Sequence, residues 1–163
     1  MIDEGAARLM AAVAVLPTRY APFYARLGEL WALDEAAVVR ELTRAAEPSA
    51  WKRPGLPGVR SVDITPGPSL TGARARLTRF SPGLVFPRHR HAGREALLVL
   101  EGSFRDEDGQ RVGAGDAHEM EPGSAHSVRV EGDEPCILAS VDFGMEFTGP
   151  FMRLLTAFSR KRT

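Results

Sequence analysis

The sequence predicts a mostly β domain, a small barrel or sandwich, with helices at its N-terminus and one helix at its C-terminus. Three observations carry this. Between about residues 70 and 147, short runs of four to eight residues are cut by Ser81-Pro82-Gly83, Asp106-Glu107-Asp108-Gly109, Gly113-Ala114-Gly115-Asp116, Glu121-Pro122-Gly123-Ser124 and Glu131-Gly132-Asp133-Glu134-Pro135. Turn signals at that spacing mark strands of a sandwich or barrel. Residues 2–47 instead carry helical periodicity, and Phe151, Leu154, Leu155 and Phe158 form an i, i+3, i+4, i+7 stripe near the end.

In order along the chain, Ile2, Ala6, Leu9, Val13 and Leu16 form one amphipathic helix that Pro17 stops. A second helix starts around Pro22, with Phe23, Leu27, Leu30 and Trp31 on one face. A third takes Asp34 as N-cap, carries Val38, Leu42 and Ala46, and stops at Pro48. The stretch Trp51–Pro68, with four prolines, reads as a linker or the lead-in to a sheet edge. The expected division is therefore a helical extension over 1–50, a barrel over 51–149, and a C-terminal helix over 150–163, ending in Arg160, Lys161 and Arg162, where cations suit the helix dipole.

Composition excludes several functions. Its 163 residues suit one domain, and 21 basic residues balance 21 acidic ones, so no overall field draws the chain onto nucleic acid or membrane. Cys136 is the only cysteine, which leaves no intrachain disulfide or CxxC centre and agrees with a cytoplasmic location. It opens the apolar run Cys136–Val141 and reads as a small buried hydrophobe. The apolar run Leu9–Leu16 follows Asp3 and Glu4 and is too short to cross a bilayer, so it reads as neither signal peptide nor anchor.

The chemistry concentrates in PRHRHAGREALLVLEG, residues 87–102, which holds two of the four histidines. Side chains at i and i+2 of a strand share a face, so His89 and His91 point one way and Arg90 the other. Gly93 permits a bend, and Glu95, Leu97 and Val99 continue the inward parity. His126, after Pro122-Gly123-Ser124, shares parity with apolar Val128 and Val130 and should also point inward. Three imidazoles and a carboxylate are costly to bury without a partner and form a donor set for one divalent metal, with positions left for water or substrate. His118 has no companion motif and is expected outside that set. Arg76, Arg79, Arg105 and His118 are candidates for supporting roles.

Gly83, His89, His91, Glu95 and Gly102 match the first cupin motif in spacing, and Gly115, Gly123 and His126 match the second. The second motif departs at Glu121, where proline is usual and Pro122 falls one residue late, and at Val130, where asparagine is usual. Within the cupins, the wording over about residues 51–147 resembles the C-terminal domain of ChrR-type anti-sigma regulators. The resemblance implies a double-stranded β-helix, or jelly roll, and a metal held by His89, His91, Glu95 and His126, commonly zinc; the donor chemistry alone also suits iron, manganese, nickel or copper. It also implies a homodimer and a small-molecule ligand or a protein regulator as partner. Such regulators carry a His and Cys-x-x-Cys zinc motif in their N-terminal domain; no histidine or cysteine precedes His89 here, which leaves residues 2–47 as a metal-free docking module. The expected function is a sensory or transcription-regulatory cupin; a small dioxygenase-type metalloenzyme is the alternative, and a metal-stabilised scaffold comes third.

Finally, Ala96-Leu97-Leu98-Val99-Leu100 is apolar on both parities. If Leu97 and Val99 fill the interior, Leu98 and Leu100 face outward and need a second layer, either the chain's own helices or another subunit.

Overall fold

The computed structural model describes residues 17–148. The helices expected over Ile2–Leu16 and after Pro150 lie outside the described residues. Residues 17–19 are helical, so the helical conformation does not stop at Pro17 as expected. Among the described residues there follow α1 Tyr24–Trp31 and α2 Glu35–Ala46, then β1 Val59–Ile64, β2 Arg74–Phe80, β3 Val85–His91, β4 Glu95–Glu101, β5 Ser103–Asp106, β6 Arg111–Gly113, β7 Ala117–Met120, β8 Ala125–Val130, β9 Cys136–Asp142 and β10 Met145–Phe147. All strand pairs are antiparallel, in two five-stranded sheets ordered β1-β2-β9-β4-β7 and β10-β3-β8-β5-β6. The sheets face one another as in a jelly roll, without one continuous ladder closing them into a barrel.

Local sequence explains the elements. Pro22 opens a short 3-10 turn, Ala21–Phe23, that leads into α1, and Ala32 caps α1 in the left-handed conformation. Asp34 caps α2 by accepting from the Ala37 amide at 2.7 Å, which satisfies one of the free N–H groups of the first turn. The buried face of α2 is Val38, Leu42 and Ala45, one residue short of the expected Ala46. β1 falls inside the proline-rich stretch that reads as a linker or the lead-in to a sheet edge, and it is an edge strand. The prolines bracket it at Pro57 and Pro66, while Val59, Val62 and Ile64 inside it are buried. This edge strand pairs only with β2 among the named strands, so prolines close to its ends break no ladder.

Leu97 and Val99 lie between the sheets with Phe80, Phe104, Val112, Val130 and Leu138. Leu98 and Leu100 lie on the other face, with Leu77, Ala139 and Val141, against Leu27, Trp31, Val38 and Leu42 of the two helices. The second layer called for by the two-sided apolar strand is thus the chain's own α1 and α2. Polar contacts tie it down: the Gly67 amide donates to the Trp31 carbonyl at 2.8 Å, and the Trp51 indole donates to the Ala45 carbonyl at 2.8 Å. Tyr20, buried against the same layer, donates its hydroxyl to Glu101, and burial raises its pKa.

The chain leaves one sheet for the other at Gly102, between β4 and β5. Its φ is 68°, and a Cβ there would lie 2.5 Å from the Pro135 carbonyl oxygen, so only glycine fits the crossing. Cys136 is buried in the interior cluster, where burial pushes its thiol up to about 12. That fits a packing role.

Candidate metal centre

β3 carries His89 and His91, and the register with β8 shifts between Phe86 and His89. Pro87 sits in that irregularity, where it withholds no ladder donor, and its carbonyl accepts a hydrogen bond from His89 Nδ1 at 2.9 Å. His89 then pairs directly across from His126 of β8. Glu95 comes from the opposite sheet, in a row with Met120 and Asp142. Gly93 allows that reversal, since a Cβ there would stand 2.5 Å from Phe143 Cβ and 2.9 Å from its carbonyl oxygen. Arg90 is exposed on the outer face, as strand parity requires.

The four side chains are all buried, and one donor atom from each lies within 4.8 Å of the others. Ring centroids are 4.9 Å apart for His89 and His91, 4.5 Å for His89 and His126, and 5.0 Å for His91 and His126. Because a carbonyl and a carboxylate only accept, His89 donates Nδ1–H to Pro87, and His126 donates Nδ1–H to Asp106 Oδ2 at 2.7 Å. Both rings therefore turn Nε2 lone pairs to the cluster. His91 Nε2 stands 3.1 Å from His126 Nε2, and His91 Nδ1 is buried without a hydrogen bond, 3.3 Å from Glu95 Oε2. Two nitrogens bound to one zinc at about 2.0–2.1 Å stand roughly 2.9–3.4 Å apart for octahedral to tetrahedral angles, so the observed spacing fits shared coordination. With its proton on Nδ1, His126 accepts from His91 Nε2–H at Nε2; a divalent ion would take the place of that proton between the two rings.

Electrostatics agrees. Burial lowers His89 to about 4, with His126 and His91 adding to the effect and the Pro87 carbonyl opposing it. Burial, then His126, also lowers His91. Both imidazoles are thus neutral at neutral pH, the form in which a metal would take them. Glu95 is pushed up to about 7, first by burial and then by Asp142, against the pull of Arg76 and Arg74. A buried carboxylate raised in this way gains its charge readily only when a cation arrives.

Around the cluster, Asp142 is fully buried and accepts from Arg74 Nη2 and Arg76 Nη2, each at 2.6 Å. Burial alone would raise its carboxyl; the two guanidinium contacts outweigh that and hold it below its ordinary value. Arg76 thus points inward, toward the Glu95 row, and its Nε has no partner. Arg105 is exposed and paired with Glu131; Arg79 is half-buried. His118 is outside the four-donor group, with Nε2 3.7 Å from Asp106 Oδ2. A shallow cavity of about 180 Å³, with Val85, Arg105, Asp106 and Arg129 in its lining, touches none of the four donors. Asp106 and Asp142 do not stand out in the sequence as site residues. Their only signal is parity, Asp106 with inward Phe104 and Asp142 with inward Leu138.

Two facing antiparallel sheets with three histidines and a glutamate at one end of their interior define a cupin. Residues 42–143 match the model of the ChrR cupin-like domain, and the chain belongs to that family. It is 36% identical over 118 residues to the anti-sigma-E factor ChrR of Cereibacter sphaeroides, covering 72% of this chain and 53% of ChrR. The crystal structure of Rhodobacter sphaeroides SigE in complex with the anti-sigma ChrR superposes with a TM-score of 0.50 at 36% identity, over 56% of this chain and 47% of that one. The chain thus spans about half the length of the ChrR relatives it matches. An RmlC-like cupin of Ralstonia eutropha JMP134 (TM-score 0.54, 18% identity, 69% of this chain and 82% of that one) shares the fold. So does an acetylacetone dioxygenase of Acinetobacter johnsonii (0.54, 14%, 64% and 76%).

Proposed function

We propose that this chain is a metal-binding regulatory cupin, with zinc at His89, His91, Glu95 and His126 and a transcription regulator of the sigma-factor class as its partner. The observation that carries the reading is the buried four-donor cluster in a chain of the ChrR family. The ligands come from both sheets, so a bound ion joins β3 and β8 to β4 and supplies charge neutralisation for Glu95. His89 and His126 present their ligand nitrogens already oriented, which favours tight binding. The N-terminal zinc motif of ChrR-type regulators has no counterpart before His89, and the apolar faces of α1 and α2 are packed on the sheet. In this reading a small ligand or a change of metal state at the four donors is the signal that the cupin responds to. The cytoplasm is the matching compartment. The face carrying Leu98 and Leu100 is occupied by the chain's own helices, so the homodimer expected from the resemblance uses another surface.

The test is co-elution of the zinc-loaded protein with a SigE-type sigma factor from the same source. A complex weakened by His91→Ala supports the proposal. No complex, together with metal-dependent oxygen uptake on a small diketone, overturns it in favour of the dioxygenase alternative.

A further inference from the structure

We infer that Asp106 is a positioning residue for the metal centre, holding His126 in the tautomer and orientation that the centre needs. The inference rests on the metal reading above. Asp106 ends β5, and its two carboxylate oxygens have different partners. Oδ1 accepts the Glu107 amide at 2.6 Å, in the hairpin turn that also joins Asp106 to Gln110 and Gly109 through backbone hydrogen bonds. Oδ2, fixed in place by that anchoring, accepts Nδ1–H of His126 at 2.7 Å. Both partners are buried.

The pairing of β5 with β8 explains the reach. Asp106 is opposite Val128, two residues from His126 on the same inward face. Phe104, the inward neighbour of Asp106, belongs to the interior core, so this strand end is held by packing as well as by its turn. A carboxylate on the far nitrogen of a metal-binding imidazole fixes the ring and raises its basicity; losing such a partner typically costs about 10–100-fold in metal affinity. His89 achieves the same orientation through the Pro87 carbonyl, whereas His91 Nδ1 has no hydrogen bond. Of the three rings, His126 alone hydrogen-bonds a carboxyl side chain.

The experiment compares wild type with Asp106→Asn, Asp106→Ala and the turn control Asp108→Ala. Asp108 accepts the Gln110 amide in the same hairpin, but it is exposed and lies outside the group of His89, His91, Glu95 and His126. Zinc affinity is read by competition with a chromophoric chelator, and the His126 tautomer by nitrogen-15 NMR of the metal-free protein. Wild type should show the Nδ1–H form. Asp106→Ala should populate Nε2–H and lower zinc affinity about 10–100-fold, Asp106→Asn should lose less, and Asp108→Ala should match wild type. Affinity within twofold of wild type in both Asp106 variants would overturn the assignment. So would a loss of affinity with the tautomer unchanged, since that is the signature of a turn defect. A wild type that binds no zinc would overturn the metal reading instead, and the tautomer in the Asp106 variants would then decide the assignment.

Discussion

Leu98→Ala tests the packing that gives this cupin its outer layer. Leu98 is only 2% exposed and belongs to the cluster that holds Leu27, Trp31, Val38 and Leu42 against the sheet. The substitution removes three carbons; at about 0.8 kcal/mol for each buried methylene, transfer alone costs roughly 2.4 kcal/mol. The cavity adds to this, because two helices clamped by the Trp51–Ala45 and Gly67–Trp31 hydrogen bonds cannot collapse fully onto the gap. A total of about 3–4 kcal/mol follows, within the usual range for buried leucines. For a chain of this size each kcal/mol lowers Tm by about 2–4 °C, so Tm should fall by roughly 6–16 °C. Urea unfolding monitored by Trp31 and Trp51 fluorescence gives the free energy directly. Because Leu98 faces away from the metal donors, zinc stoichiometry should not change. A loss below about 1 kcal/mol would refute the claim that the helices cover this face.

Further outcomes follow from the site. In the metal-free protein, Glu95 titrates at about 7, above its ordinary value, so its contribution to stability is present at low pH and is lost as pH rises toward 7. His89 at about 4 and His91, both lowered, act in the opposite sense, and their contributions are lost as pH falls below the unfolded value of 6.5. As pH falls from 6.5 to 5 the two histidines lower stability while Glu95 raises it, and urea titrations of wild type beside a Glu95 variant separate the two effects. Glu95→Gln should shift the slope toward a loss of stability on acidification by up to about 1.4 kcal/mol per pH unit, and an unchanged slope would contradict the burial of Glu95. Gly93→Ala puts a methyl group against Phe143 and should lower both Tm and zinc affinity by displacing Glu95 from His91; chelator competition reads the second effect, and wild-type affinity would show that the reversal tolerates a side chain.

The donor set was legible because strand parity acts over short distances. His89, His91 and Glu95 lie within seven residues, one bend apart, and His126 follows a turn signal next to apolar Val128 and Val130. The two-sided run Leu97–Leu100 likewise announced a covered sheet, although only the structure shows that α1 and α2 cover it. Asp106 and Asp142 were less legible because their partners are set by register. Asp106 meets His126 across 20 residues and Asp142 meets Arg76 across 66, and neither pair carries a local pattern. β1 was only half legible: its prolines left open a linker or the lead-in to a sheet edge, and they bracket an edge strand whose buried residues are only Val59, Ser61, Val62 and Ile64.

The most direct test of the central claim is elemental analysis of the protein purified without added metal, beside a doubly substituted His89→Ala, His91→Ala protein. Wild type should carry about one equivalent of a divalent metal, with zinc foremost, and the double variant should carry almost none while remaining folded. Full metal content in the double variant, or a wild type that stays metal-free when zinc is supplied, would contradict it.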